Sequence, residues 1–277
     1  MNVLFLKNIT PSAAYEFAKA YSAIDHTCHN IYVVYEDDYG IFQHNHKLSL
    51  KFYSANDSNL SHIWNSKHYT LDIIDFYLVG TNQSISKFLA DKLQHFYYKD
   101  SPFSPQIFSK NEDYFFSKIV VFSENTDYHN FGSLQVYHKE ILNSLANVCT
   151  IEIYQKDFNF EEVFAVTNSA NLVISHNDIV ARLCTDYNIP NLVVYTKDRC
   201  IESNDNQVIF DPYKNIKLEY PPNCFVRDWQ KIDKLNDKIV DLSSYKNLFI
   251  NEVWDTINKF KIPYKTDSSN DYRNTIS

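Results

Sequence analysis

The sequence predicts an α/β protein built as two Rossmann-like βα lobes with a cleft between them, and three observations carry that prediction. Short runs rich in Val, Ile, Leu and aromatic residues alternate with longer amphipathic stretches, the pattern of parallel sheets whose strands are buried on both faces. The alternation breaks once, between Lys99 and Tyr114, and then restarts. At 277 residues, with 44% hydrophobic and 22% charged side chains, the chain has enough apolar material for two cores.

The elements follow in order. Asn2–Lys7 is an apolar run that reads as a first strand rather than a signal peptide, being too short for one. Thr10-Pro11-Ser12 then starts a helix with Pro in its first turn, continued by Ala13 to Ala23. Ile31–Tyr35 is β-branched and aromatic, a second strand. From Asp38 to Lys67 the periodicity is weaker: Leu48–Tyr53 has strand composition and Ser54–Ser61 that of a loop. Leu71–Gly80 holds another apolar run, and Gln83-Ser84-Ile85-Ser86 opens a helix to about Tyr97, with Phe88, Leu89, Leu93 and Phe96 on one stripe.

Pro102, Pro105 and the polar Lys110–Asp113 cluster break both periodicities, which places the lobe boundary there. Residues 1–105 form the predicted N-terminal lobe, 115–262 the C-terminal lobe and 263–277 a polar tail. The second lobe alternates cleanly. Its strands are Ile119–Phe122, Cys149–Tyr154, Leu172–Ser175, Leu192–Tyr195 and an edge strand Val208–Phe210. Its helices are Ser133–Ala146, Phe160–Val166, Asp178–Tyr187 and Leu242–Phe260. Ligands of such sheets bind beyond the carboxyl ends of strands, so the loops after Lys7, Tyr35, Phe122, Ser175 and Tyr195 are the places where function is expected.

Composition excludes several classes. Gly40, Gly80 and Gly132 are the only glycines, so neither a Walker loop nor a G-x-G-x-x-G turn can be built. A phosphate would have to be met by a helix N-terminus and polar side chains. The net charge of −8 and the absence of a Lys/Arg run argue against a nucleic-acid partner. Five irregularly spaced cysteines argue against a disulfide framework and for a reducing, cytoplasmic setting. No apolar run reaches the length of a transmembrane segment.

Four constellations could carry chemistry. Ser175, His176, Asn177 and Asp178 sit where a strand ends and a helix begins, where backbone N–H groups and the helix dipole favour an anion. Arg182, one turn on, could reach a diphosphate from the same end; the plainer reading is that Asn177 or Asp178 caps the helix. Ser123, Asn125 and Thr126 follow the strand Ile119–Phe122 and could donate to phosphate oxygens, where an ordinary polar loop would look the same. Thr196, Lys197 and Arg199 follow Leu192–Tyr195 and offer two cations near the same edge, or a solvated charge cluster. Glu36-Asp37-Asp38 follows Ile31–Tyr35, and a carboxylate there could serve as a general base or be an exposed acidic turn. His26, Cys28, His29, His44 and His46 have zinc-suited identities but no structural zinc spacing, so no metal site is assigned.

The stretch from Ala170 to Tyr195 resembles the second-domain signature of the GT-B glycosyltransferases, in particular the ADP-heptose:lipopolysaccharide heptosyltransferase family, whose members show a segment of the form "adlvIsnDsGpmHlAaalgiPvvalfG". Ala170–Ser175, the polar turn and Asn188-Ile189-Pro190 carry the likeness. Aligned on Pro190, Asn177 stands at the family's Asp, Ile179 at its Gly and Arg182 at its His. Polysaccharide pyruvyl transferases end their second domain with a similar strand–helix–"giPv" pattern. The resemblance implies a GT-B-like fold and a metal-independent glycosyltransferase of polysaccharide biosynthesis, without cofactor. It would move a sugar from a nucleotide-sugar donor to a glycan or lipid-linked acceptor. On this reading the second lobe holds the nucleotide at Ser123, Asn125, Thr126, Ser175, His176, Asn177, Arg182, Thr196, Lys197 and Arg199, and Asp37 or Glu36 is the base. A pyruvyl-type transferase and a non-catalytic α/β binding protein derived from a transferase are the alternatives.

Overall fold

The computed structural model describes residues 2–22, 31–36, 39–44, 51–72, 117–124, 134–176, 178–194, 205–210 and 242–265. The chain divides into two compact units. The first is Met1–Phe108 with Phe158–Glu161 and Asp198–Glu202; the second is Ser109–Asp157, Glu162–Lys197 and Ser203–Ser277. Each carries its own parallel sheet.

The first unit runs β1 (Asn2–Lys7), α1 (Pro11–Ser22), β2 (Ile31–Tyr35), β3 (Phe52–Ser54) and β4 (Lys67–Asp72), in sheet order β3-β2-β1-β4. The chain steps from β1 to β2 to β3 in one direction and returns across the sheet to place β4 on the other side of β1. Right-handed crossovers require the two connections to cover opposite faces. The packing agrees: Phe17 and Tyr21 of α1 meet Phe52 at ring distances of 6.2 and 4.9 Å, whereas Leu60 and Ile63 join Val3 and Val34 in a separate cluster. Parallel register sets Val3 beside Tyr32 and His68, and Lys7 beside Asp72.

Two details depart from the sequence expectation. Within the expected loop Ser54–Ser61, Ser58–His62 forms a 3-10 helix. The fourth strand starts at Lys67, ahead of the apolar run expected from Leu71, and its first four residues are exposed. An edge strand needs only one neighbour, and pairing with β1 supplies it without an apolar alternation. The expected helix Gln83–Tyr97, the Lys99–Tyr114 break and the polar tail from Thr266 lie outside the described residues.

The second unit runs β5 (Lys118–Phe122), α2 (His138–Leu145), β6 (Thr150–Tyr154), α3 (Phe160–Asn168), β7 (Leu172–His176), α4 (Ile179–Asp186), β8 (Asn191–Val194), β9 (Gln207–Phe210) and α5 (Leu242–Lys259), in sheet order β6-β5-β7-β8-β9. The expected helix from Ser133 opens as a 3-10 turn, Leu134–Tyr137, before α2. One face of the sheet buries Ile119, Val121, Leu172, Ile174, Leu192 and Val194 against Ile141 and Leu145 of α2 and Phe249, Val253 and Ile257 of α5. The opposite face presents Val120, Phe122, Val173 and Val193, all buried.

Local stop signals end two helices the same way. After α4, Asn188 takes φ 54° while Ile189 N–H donates to the Cys184 carbonyl at 2.9 Å. After α5, Lys261 takes φ 52° while Ile262 N–H donates to the Ile257 carbonyl at 2.9 Å. Both are Schellman closures, with a buried apolar residue next and a proline beyond. The Asn188-Ile189-Pro190 part of the recognised segment is therefore explained by helix termination.

Candidate functional site

Among the described residues each sheet reverses its strand order once, and in open parallel sheets ligands bind beyond the strand ends at such reversals. In the second unit the reversal lies between β5 and β7, since β6 sits on one side of β5 and β7, β8 and β9 on the other. Continuing the register Val121↔Ile174 by two residues brings Ser123 beside His176.

Ser123 is fully buried. Its N–H donates to the Tyr154 carbonyl at 3.0 Å, its carbonyl accepts from Leu134 N–H at 2.7 Å, and its Oγ accepts from Gln155 Nε2 at 3.2 Å. His176 is 3% exposed. Burial pushes its imidazole down to about 4, opposed by a hydrogen bond to the Ser123 backbone. The ring is therefore neutral near pH 7, and its Nε2 is buried without a hydrogen-bond partner among the described residues. A neutral imidazole that donates through one nitrogen accepts at the other.

Ser175 points to the other face of the sheet, fully buried, with Oγ donating to the His176 carbonyl at 3.2 Å. Asp178 is the cap of α4: its φ is −135°, and its carboxylate accepts the Val180 N–H at 3.0 Å. The capping reading thus holds at Asp178, and a carboxylate occupies part of the helix N-terminus that a phosphate would use. Arg182 is half-buried one turn into α4, its N–H reaching the Asp178 carbonyl at 3.3 Å. The structure so brings Ser123, Ser175, His176 and Arg182 to one end of one sheet. Asn125, Thr126, Asn177, Thr196, Lys197 and Arg199 lie outside the described residues.

In the first unit the reversal lies at β1. Glu36 follows β2 and is exposed; Asp37 and Asp38 lie outside the described residues, as do His26, Cys28, His29 and His46. The sequence reading missed a carboxylate here. Asp72 ends β4, and Asn8 Nδ2 donates to its Oδ1 at 3.0 Å and its Oδ2 at 3.1 Å. No local signal could have found it, because pairing of β1 with β4 alone joins residues so distant in sequence.

Among the described residues no three His, Cys, Asp or Glu side chains gather as a metal site. Cys149 and Cys184 are free and buried, and burial pushes both thiols up. Among the described residues no helix is long and apolar enough to cross a membrane.

No protein-family model matches the chain, and no curated protein matches it. Among solved structures the chain is similar to the iron-containing dodecameric glycosyltransferase TibC from enterotoxigenic E. coli H10407, at 14% identity over 94% of this chain and 78% of that one, with a TM-score of 0.50. It is also similar to the E. coli heptosyltransferase WaaC with ADP-2-deoxy-2-fluoro heptose, at 14% identity over 85% of this chain and 100% of that one, with a TM-score of 0.43. The likeness to TibC shows the fold: two Rossmann-like lobes of the GT-B kind.

Proposed function

We propose that this protein is a glycosyltransferase that moves a sugar from a nucleotide-sugar donor to a hydroxyl of a glycan or lipid-linked acceptor, in the cytoplasm and within polysaccharide biosynthesis. Residues 115–262 take the donor and residues 1–105 the acceptor. The observation that carries the reading is the strand reversal of the second sheet, where Ser123 and a buried neutral His176 stand side by side. Its fold, aligned over 94% of the chain with that of a glycosyltransferase, supports the same reading.

Donor binding uses hydrogen bonds at the ends of β5 and β7 together with Arg182, Lys197 and Arg199, whose cations neutralise the departing diphosphate. No metal cofactor enters this scheme. A carboxylate of the first lobe accepts the proton of the acceptor hydroxyl; the sequence offers Glu36 and Asp37 for that role.

One observation favours a second reading, a non-catalytic binding protein derived from a transferase: the Asp178 carboxylate fills the start of α4 and would repel a phosphate there. A thermal-shift screen against UDP, GDP, CDP, ADP, CMP and their common sugar conjugates separates the two. Selective stabilisation by one nucleotide, lost in Arg182→Ala and Lys197→Ala, is the expected result. No shift at millimolar concentration would end the transferase reading.

A further inference from the structure

The strand reversal of the first sheet carries a carboxylate held by its neighbour. β2 and β3 lie on one side of β1 and β4 on the other, so the reversal falls at the carboxyl ends of β1 and β4. The register aligns Lys7 with Asp72, and Asn8, the next residue after β1, spans the two strand ends. Its Nδ2 meets both carboxylate oxygens, at 3.0 and 3.1 Å. Contact with both oxygens from one side ties the carboxylate at the end of β4 to the residue that follows β1.

The loop that carries Asn8 is itself held. Asn8 adopts φ 50°, a left-handed conformation that non-glycine residues rarely take and that Asn tolerates better than most. The Tyr39 hydroxyl donates to the Ile9 carbonyl at 3.0 Å, and Thr10 Oγ1 accepts the Ala13 N–H at 3.3 Å at the start of α1. Asp72 is half-buried, and Asn8 is exposed. Glu36, by contrast, follows β2, on the side of β1 opposite to β4.

We infer that Asp72 is the catalytic carboxylate of the first lobe and Asn8 its positioning residue; the inference rests on the glycosyl-transfer reading above. Asp72 takes the proton of the acceptor hydroxyl. The electron pair so freed forms the bond from the acceptor oxygen to the anomeric carbon. The bond from that carbon to the diphosphate oxygen breaks, and its electron pair leaves with the nucleoside diphosphate. Asp72 then returns its proton to solvent, and nothing is oxidised or reduced.

The test measures donor affinity, melting temperature, kcat and KM for the full chain, Asp72→Asn, Asn8→Ala and Glu36→Gln. The donor is the nucleotide-sugar that stabilises the protein. Asp72→Asn is expected to lower kcat about a hundredfold or more, the ordinary contribution of a general base, with donor affinity and melting temperature retained. Asn8→Ala is expected to lower kcat about tenfold by loosening the carboxylate. The loss should fall on kcat and leave KM unchanged, the split expected of a residue that positions the carboxylate without binding substrate.

Asp72→Asn retaining more than about a third of the wild-type kcat would overturn the assignment. So would an unchanged kcat in Asn8→Ala, or a kcat loss in Glu36→Gln larger than that in Asp72→Asn. A loss in Asp72→Asn accompanied by a lowered melting temperature would reduce Asp72 to a structural role. A wild-type chain that transfers sugar while Asp72→Asn does too sinks Asp72 alone. A wild-type chain that transfers from no donor sinks the glycosyl-transfer reading, and the Asp72 assignment with it.

Discussion

The imidazole of His176 is hydrogen-bonded to the backbone of Ser123 across the ends of two adjacent parallel strands, and burial pushes its pKa down to about 4 from the ordinary 6.5. Between those values the unfolded chain binds a proton that the folded chain refuses. Stability is therefore whole above about pH 6.5 and falls as pH drops toward 4. The loss between pH 6.5 and 5 is expected to be about 2 kcal/mol from this group. His138, also pushed down by burial, adds a slope of the same sign. Urea midpoints at both pH values for wild type and His176→Gln isolate the His176 share. An equal drop in the two proteins would rule out a buried neutral imidazole.

Asp178→Ala removes the side-chain cap of α4, and a loss of about 1 kcal/mol is expected. The same substitution takes a negative charge from the helix start, so nucleotide affinity should rise if the phosphates bind there. Denaturation and calorimetric titration on one variant read both effects. Lower stability with unchanged affinity would place the phosphates away from α4.

Lys261→Gly is expected to stabilise the protein by about 1 kcal/mol, since a left-handed residue with a Cβ carries roughly that strain. The Schellman hydrogen bond from Ile262 to Ile257 should be untouched. A shift of the chemical midpoint to lower denaturant would mean that the Lys261 side chain contributes more than its backbone costs.

Phe249→Ala tests whether α5 is integral to the second unit. Phe249 is fully buried, stacked on Tyr137 at 4.2 Å between ring centres and edge-on to Phe210 at 5.3 Å. A loss of about 3–5 kcal/mol is expected on truncation to Ala. A loss below about 1 kcal/mol would show that the helix lies on the sheet without closing its core.

Transfer activity is expected to persist in EDTA, because cationic side chains rather than a divalent ion neutralise the leaving group in the proposed scheme. Activity abolished by EDTA and restored by Mn²⁺ or Mg²⁺ would replace Arg182, Lys197 and Arg199 with a metal.

What the sequence revealed follows burial. Strands β1, β2, β5, β7 and β8 stand out as apolar runs, since interior parallel strands carry their code on nearly every residue. Strand β6, at the sheet edge, shows as Ile151, Ile153 and Tyr154 around polar Thr150 and Glu152. Strand β4 did not stand out, because Lys67, His68, Tyr69 and Thr70 are exposed and owe their conformation to a neighbour distant in sequence. The same distance hid Asp72, which only the pairing of β4 with β1 brings to the end of the first strand. His176 was visible as a strand-end residue, but its neutrality arises from atoms packed around it, which no local pattern records.

The placement of α5 sets a timetable for making the protein. On a ribosome the chain emerges from its N-terminus, so β5 to β9 leave the tunnel before Leu242–Lys259 exists. Through that interval Ile119, Val121, Leu172, Ile174, Leu192 and Val194 lack the helix that seals them. The first unit suffers no such delay, its strands and α1 all lying within its opening segment. A pause in translation ahead of Leu242 would therefore hold a finished first unit beside an open, adhesive sheet, the form that chaperones capture and that self-associates when they are scarce.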